Sequence, residues 1–244
     1  MKLTDKLSFD HEDRQQLYEY VESHGTVKRK DVEKALKLDP RAVRHHVAIL
    51  KRDGYLVDED GVLSVAFEDE SAAEEHHGES VDFIIRQAHQ SDLSGLIGAI
   101  RHVADEGTYI EAEEVADILD HEEVLLRHNE LESRMFFVAT VNDEVVGWVH
   151  IRAPELAKLH HTAELTVGVL GEYRGNNIGS HLLERGVNWA QQNNYEKLYN
   201  SVPATNETAI AFLEEHGWET EAVRADHYKI DDEYVDEVMM AVSA

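Results

Sequence analysis

The spacing of apolar residues changes character partway along the chain, and that change divides it. Over residues 11–24 a helical period puts Leu17, Tyr20 and Val21 inward, and over 30–36 it does the same for Val32, Ala35 and Leu36. Asp39 then suits the cap of a new helix, and Pro40 its first position. Along 41–52, Val43, Val47 and Leu50 share one face, while Arg41, Arg44, His45, Ala48 and Arg52 share the other. Two short apolar runs joined at Asp60-Gly61 predict a hairpin. From residue 81 strands and helices interleave. Strands are expected over 83–89, 135–141, 144–152, 163–170 and 197–202, with a turn at Asn142-Asp143, and two more over 219–230 and 234–242. Helices are expected over 91–105, 111–128, from a glycine-rich turn to about 192, and over 206–216. This interleaving predicts a mixed sheet with helices on its faces, an α/β (α+β) architecture preceded by a smaller helical domain.

Between the two patterns, residues 68–80 (EDESAAEEHHGES) are polar, acidic and aperiodic, and read as a solvated linker. The expected organisation is therefore a domain over 1–67, a linker over 68–80 and a second domain over 81–244. A length of 244 residues and an apolar fraction of 42% permit two ordinary cores. Charge sharpens the division. Asp and Glu number 50 against 23 Lys and Arg, a net charge of -27, yet residues 1–67 hold 13 acidic and 12 basic residues. Such an acidic surface opposes non-specific nucleic-acid binding and keeps a chain soluble where salt screens self-repulsion. The composition resembles that of haloarchaeal proteins adapted to a salt-rich cytoplasm. With no cysteine, disulfides, thiolate metal sites and a cysteine nucleophile are excluded. The pairs His45–His46, His76–His77 and His160–His161 have no third ligand at useful spacing, so no metal is expected. The opening MKLTDKLSFDHEDRQQ lacks a signal-peptide core, and no uncharged apolar run approaches the ~20 residues of a membrane span. A cytoplasmic chain without a membrane partner is expected.

Against the acidic background, residues 28–52 hold nine basic residues and three acidic ones. Three helices followed by a hairpin, with the phrase DVEKALKLDPRAVRHHVAILKRDGYLV, resemble the winged helix-turn-helix domain of small prokaryotic regulators over about residues 10–67. That resemblance implies DNA binding through Arg41, Arg44, His45, Lys51 and Arg52. Cationic side chains would neutralise phosphates, and the start of the third helix would read base edges. Winged helices also dimerise or dock proteins, so a homodimer or a protein partner stays open.

The stretch EYRGNNIG (172–179) lies where a strand becomes a helix. Gly175 and Gly179 allow close backbone approach, Asn176 and Asn177 tolerate left-handed φ, and Arg174 adds a permanent charge. It matches neither GxxxxGK[ST] nor GxGxxG. In context, VGVLGEYRGNNIGSHLLERGVNWAQ resembles the acetyl-coenzyme-A loop of the GNAT acyltransferase superfamily, [RQ]-x-x-G-x-[GA], with Asn177 at its middle glycine. NETAIAFLEEHGW resembles that family's N-x-x-A-…-G-[FW] segment through Asn206, Ala209, Gly217 and Trp218, and the tail HYKIDDEYVDEVMMAV is similar to its last two strands.

The resemblance implies an N-acetyltransferase using acetyl-CoA on a primary amine of a small molecule or protein. Strand residues Leu165, Val167, Gly168 and Val169 would pair with pantetheine. Arg174, Gly175, Asn176, Asn177, Ile178, Gly179 and Ser180 would hold the pyrophosphate, with Asn206 and Ala209 beyond it. Leu213 stands where many members carry a thiolate-protonating tyrosine. Tyr228 is then a candidate acid, solvent an alternative, and Glu164 a candidate base, with His161 behind it. Trp148, Trp189 and Trp218 are expected in cores. A regulator that senses acetyl-CoA without catalysis is the alternative function.

Overall fold

The computed structural model describes residues 7–67, 73–105 and 109–244. The first part runs α1 (Glu12–Glu22), β1 (Thr26–Lys28), α2 (Arg29–Leu36), α3 (Pro40–Arg52), β2 (Leu56–Glu59) and β3 (Val62–Val65). Its strands form a three-stranded sheet in the order β1-β3-β2. Asp39 caps α3 by accepting from the Arg41 amide at 2.8 Å, and Pro40 occupies the first turn where no amide donor is needed. Val43, Val47 and Leu50 are buried as their spacing predicts. On α1 Tyr18 is the fully buried aromatic, with Tyr20 partly buried against the same core, and Ala35 of α2 is exposed. The β1 strand was not legible, since three residues carry no period.

One histidine pair separates in space. His45 is exposed, whereas His46 is buried and its Nε2 lies 3.5 Å from Asp13 Oδ2. With His11 these groups bring their ligand-type atoms within 4.8 Å of one another, across a gap in sequence that no local spacing rule covers. Burial, then the neighbouring His11, keeps the His46 imidazole below its ordinary pKa.

The second part builds a nine-stranded sheet. Its strands are β4 (Glu74–His77), β5 (Asp82–Gln87), β6 (Arg127–His128), β7 (Glu132–Val141), β8 (Glu144–Pro154), β9 (Thr162–Val169), β10 (Lys197–Pro203), β11 (Glu219–Ile230) and β12 (Glu233–Ser243). The order is β11-β12-β10-β9-β8-β7-β5-β4, with β6 appended to β7. Helices α4 (Leu93–Ala104) and α5 (Ile110–Glu122) cover one face, and α6 (Ile178–Gln192) and α7 (Glu207–Glu215) the other. The pleat of β7 shows why both faces are apolar. Met135, Phe137 and Ala139 join the core under α6, while Phe136 and Val138 join the core under α4 and α5. Asn142 and Asp143, both at positive φ, close the β7–β8 hairpin. Trp148, Trp189 and Trp218 are buried.

Two expectations need correction. Residues 74–77 of the expected linker are strand β4, which pairs with β5 in the register Glu74↔Ile85 to His77↔Asp82. Specific contacts replace the missing apolar period. Arg185 donates to Glu74 at 2.5 Å, and His76 stacks between Phe83 and His181. Residues 68–72 lie outside the described part. The helix expected over 111–128 ends at Glu122. Glu123 adopts φ 56°, and the carbonyls of Val124 and Leu125 accept from the Arg134 guanidinium, so the chain leaves the helix and becomes β6.

The two parts meet through a buried polar seam. Tyr18 donates to the carbonyl of His128 at 2.8 Å. Glu22, 4% exposed, accepts from Arg127 at 3.3 Å and from Asn129 at 3.0 Å. Arg127 also reaches Glu122, which in turn holds Arg134. Glu22→Ala strips Arg127 and Asn129 of an acceptor in a buried place. The expected loss is about 2 kcal/mol in denaturant unfolding of the full chain, with partial recovery in Glu22→Gln.

Candidate functional site

Strands β9 and β10 are the parallel neighbours in the middle of the sheet, and they part. Their pairing covers only Thr162–Glu164 against Lys197–Tyr199. Beyond it the Leu165 carbonyl accepts from the Asn200 side chain at 2.7 Å, and the strands diverge. A cavity opens on each side of that parting.

The first cavity, about 370 Å³, is floored by Val167, Gly168 and Val169 of β9. Its far wall is Val202, Pro203, Asn206, Ala209, Phe212 and Leu213, and its mouth is Arg174, Gly175, Asn177, Ile178, Gly179 and Ser180. Gly168 is required by packing, because a Cβ there would lie 2.3 Å from the Trp148 ring. Gly175 at φ 82° and Asn177 at φ 61° turn the chain into α6, so that the unpaired amides of its first turn face the cavity mouth. Asparagine tolerates this left-handed conformation better than other non-glycine residues, which explains its place where the loop pattern has glycine. Arg174 Nε donates to the Val169 carbonyl at 3.0 Å and its guanidinium lies over the Tyr109 ring. Asn206 caps α7 by accepting from the Ala209 amide at 3.1 Å.

Two residues expected here are turned elsewhere. Asn176 is buried, outside the cavity lining. Its Oδ1 accepts from the Ser80 amide and hydroxyl, each at 2.8 Å, tying the loop to the β4–β5 connection. Leu165 buries its side chain in the core under α6 and borders only the other cavity, and its carbonyl is already taken by Asn200.

The second cavity, about 550 Å³, is lined by Glu111 and Glu114 of α5, Glu164 of β9, His150 and Arg152 of β8, Arg134 of β7, and Arg224, His227 and Glu237 of the last two strands. Glu111, Thr166, Asn200 and Ser201 belong to both cavities. Glu111 is half-buried, and its carboxyl is held above the usual range by burial and then by Glu114. Tyr228 borders neither lining. Its hydroxyl donates to Glu111 Oε1 at 3.3 Å, and burial and then Glu111 push its pKa up. Glu164 is an exposed member of the second cavity.

His150 is 5% exposed, stacks on Phe136 at 4.4 Å, and its Nε2 has no hydrogen-bond partner. Burial, then Arg134 and Arg152, lowers its pKa to about 3. Sequence reading passed over Glu111, His150 and Arg134. The available signal was an ionisable residue at an inward position of an otherwise apolar strand, as at Arg134 and His150.

Residues 99–218 match the family model described as Acetyltransferase (GNAT) family. The chain is 30% identical over 93 residues to the Drosophila melanogaster protein named Probable N-acetyltransferase san, covering 38% of this chain and 50% of that protein. It thus spans half the length of this curated relative. It is similar in structure to an acetyltransferase of the GNAT family from Streptococcus pneumoniae, with TM-score 0.56, 22% identity, and coverage of 66% of this chain and 99% of that one. A Salmonella typhimurium structure, solved with its cofactor acetyl-CoA, gives TM-score 0.54 at 15% identity over 66% of this chain and 93% of that one. No helix among the described residues is long and apolar enough to cross a membrane.

The buried neutral imidazole has a measurable consequence. The unfolded chain binds a proton at His150 near pH 6.5 while the folded chain resists until about pH 3, so stability attributable to it falls as pH drops through that window. The unfolding free energy of the native chain is expected to fall relative to that of His150→Phe, with the gap growing by about 1.4 kcal/mol per pH unit below 6.5. Parallel pH profiles would contradict the assignment.

Proposed function

We propose that this chain, which carries an acetyltransferase domain of the GNAT family over residues 99–218, is an N-acetyltransferase that moves an acetyl group from acetyl-CoA to a primary amine held in the second cavity. The observation that carries the reading is the shared wall of the two cavities at Glu111, Thr166, Asn200 and Ser201.

The first cavity fits the cofactor. Its mouth has the amides of an α6 start opened by Gly175 and Asn177, with Arg174 beside them, which suits a pyrophosphate. Val167, Gly168 and Val169 lie along the unpaired edge of β9 and suit backbone pairing with pantetheine, while Asn206 and Ala209 lie opposite. When bound, acetyl-CoA supplies an acetyl thioester activated toward amines.

Glu111 is the base this geometry favours. It reaches both cavities, and its raised pKa matches it to an ammonium proton that must leave before the nitrogen can attack. Tyr228, spent on Glu111, positions that carboxylate and is poorly placed to serve as the acid. Glu164, on the opposite wall, binds the acceptor. Leu213 lines the first cavity and offers no proton, so the proton that completes the thiol product comes from water.

Leu213 also supports a second reading, a regulator that binds acetyl-CoA without turnover. Residues 7–67 fit a winged helix-turn-helix: three helices with a three-stranded sheet, and Arg41, Arg44, His45 and Lys51 exposed on or near one helix. Arg52, also exposed, is engaged by Asp53 at 2.7 Å. A DNA-binding role for this unit, homodimerisation and a salt-adapted acidic surface complete the proposal.

Coenzyme A release in molar KCl is expected to accelerate with a suitable amine. Glu111→Gln should lower kcat by about 100-fold and remove an acid limb lying above the usual carboxylate range. Cofactor binding with no amine dependence would favour the sensor. The full-length Arg41→Ala/Arg44→Ala variant is expected to lose at least about tenfold in duplex DNA affinity and to flatten the log–log salt slope by about 2. A native slope near zero would sink the DNA reading.

A further inference from the structure

We propose that the second cavity selects an acceptor carrying two cationic nitrogens, a linear aliphatic diamine or polyamine, with the reacting amine at Glu111 and the distal ammonium between Glu114 and Glu164. This rests on the acetyltransferase reading of the same site and adds its specificity.

The charges of the cavity decide the matter. Three guanidiniums line it, and each is already matched. Arg134 is held by Glu122 at 2.5 Å, Arg152 by Glu132 at 3.2 Å, and Arg224 by Glu237 at 2.8 Å. His227 also faces Glu237, at 3.6 Å. An acceptor with a carboxylate therefore meets only guanidiniums that already face a carboxylate. The carboxylates are different. Glu111, Glu114 and Glu164 line the cavity and, among the described residues, none has an ion-pair partner. Glu111 and Glu114 stand three residues apart on α5 and so share a face. Glu164 comes from β9, across the cavity. Like charges gathered in a half-enclosed space repel one another unless a cation enters; burial first, and then the nearby Glu114 and Glu164, hold the Glu111 carboxyl above its ordinary range.

A second, independent feature points to a ligand. His150 is buried at 5% exposure on the cavity wall, and its Nε2 has no hydrogen-bond partner. A buried polar atom left unmatched is unfavourable, and here it belongs to a residue of the cavity lining, paired in the β8–β9 register with Thr166, which lines both cavities. The imidazole stays neutral at physiological pH, so it adds no charge that would repel an ammonium. A cavity of about 550 Å³ has room for an extended aliphatic chain.

Three acceptors of one length test the idea: 1,4-diaminobutane, butylamine and 4-aminobutanoate, whose far ends are cationic, apolar and anionic. With the full chain and acetyl-CoA, kcat/KM is expected to be at least about tenfold higher for the diamine than for butylamine, and lower again for 4-aminobutanoate. Glu114→Gln should shrink the diamine-to-butylamine ratio by about tenfold, with acetyl-CoA affinity and melting temperature reporting that the variant is folded. Equal use of butylamine, or preference for 4-aminobutanoate, overturns the cation site and leaves the transferase standing. Calorimetric binding of 1,4-diaminobutane that weakens in Glu114→Gln, with no turnover of any amine, overturns the transferase reading and leaves the cation site standing. If the diamine neither binds nor is turned over in preference to butylamine, the inference is overturned.

Discussion

The parting of β9 and β10 is the constraint on which the rest of the second unit depends. Parallel strands in a sheet are normally hydrogen-bonded along their shared length, and these share only three positions. Past Tyr199 each backbone has lost its neighbour on one side. β9 keeps β8, with the register running from Arg152↔Glu164 to Gly147↔Val169, and β10 keeps β12. The exposed edges of two otherwise anchored strands therefore face each other across a wedge, and a buried backbone edge calls for partners. Asn200 satisfies one carbonyl at the apex. The remaining edge of β9 is the natural place for an extended ligand with amides of its own.

Every other feature of the site is arranged around this wedge. The absent Cβ at Gly168 lets Trp148 fill the sheet face directly behind the floor. The turn into α6 begins one residue after β9 ends, so its amides lie at the outer rim. On the other side, α5 lies over the parting, and its contacts with β9 and β10 put Glu111 where the two cavities join. The rigidity of the two anchored strands fixes the separation between these groups, which is what a positional mechanism requires.

Regular features were legible from residue patterns, and contact-dependent ones were not. The α3 face, the Asp39–Pro40 helix start, the Asn142-Asp143 turn and the strand order of types follow from local spacing, because those elements bury a periodic face. β4 was hidden because it is an edge strand of Glu and His, held by Arg185 and by stacking on Phe83 and His181. The early end of α5 was hidden because Arg134, from a strand, competes for carbonyls that a helix would have used. At the site, the loop of Arg174, Gly175 and Asn177 could be found from its chemistry. Asn176 could not be told from Asn177, since which asparagine faces the cavity depends on Ser80, 96 residues away. Glu111 and His150 acquire their character from burial and neighbours, neither of which a linear pattern contains.

The seam between the two units has a consequence for how the chain responds to concentrated salt. The chain's surface carries most of its charge in water, where molar salt shortens the reach of each group to a few ångströms. The link from Glu22 through Arg127 and Glu122 to Arg134 is made of touching groups, with Glu22 and Arg134 almost wholly out of solvent. Ions cannot intervene between them. Rising ionic strength would thus mute what the molecule projects outward while sparing the wire that joins its first helix to the wall of the second cavity. Salt that silences the exterior would leave that internal line intact.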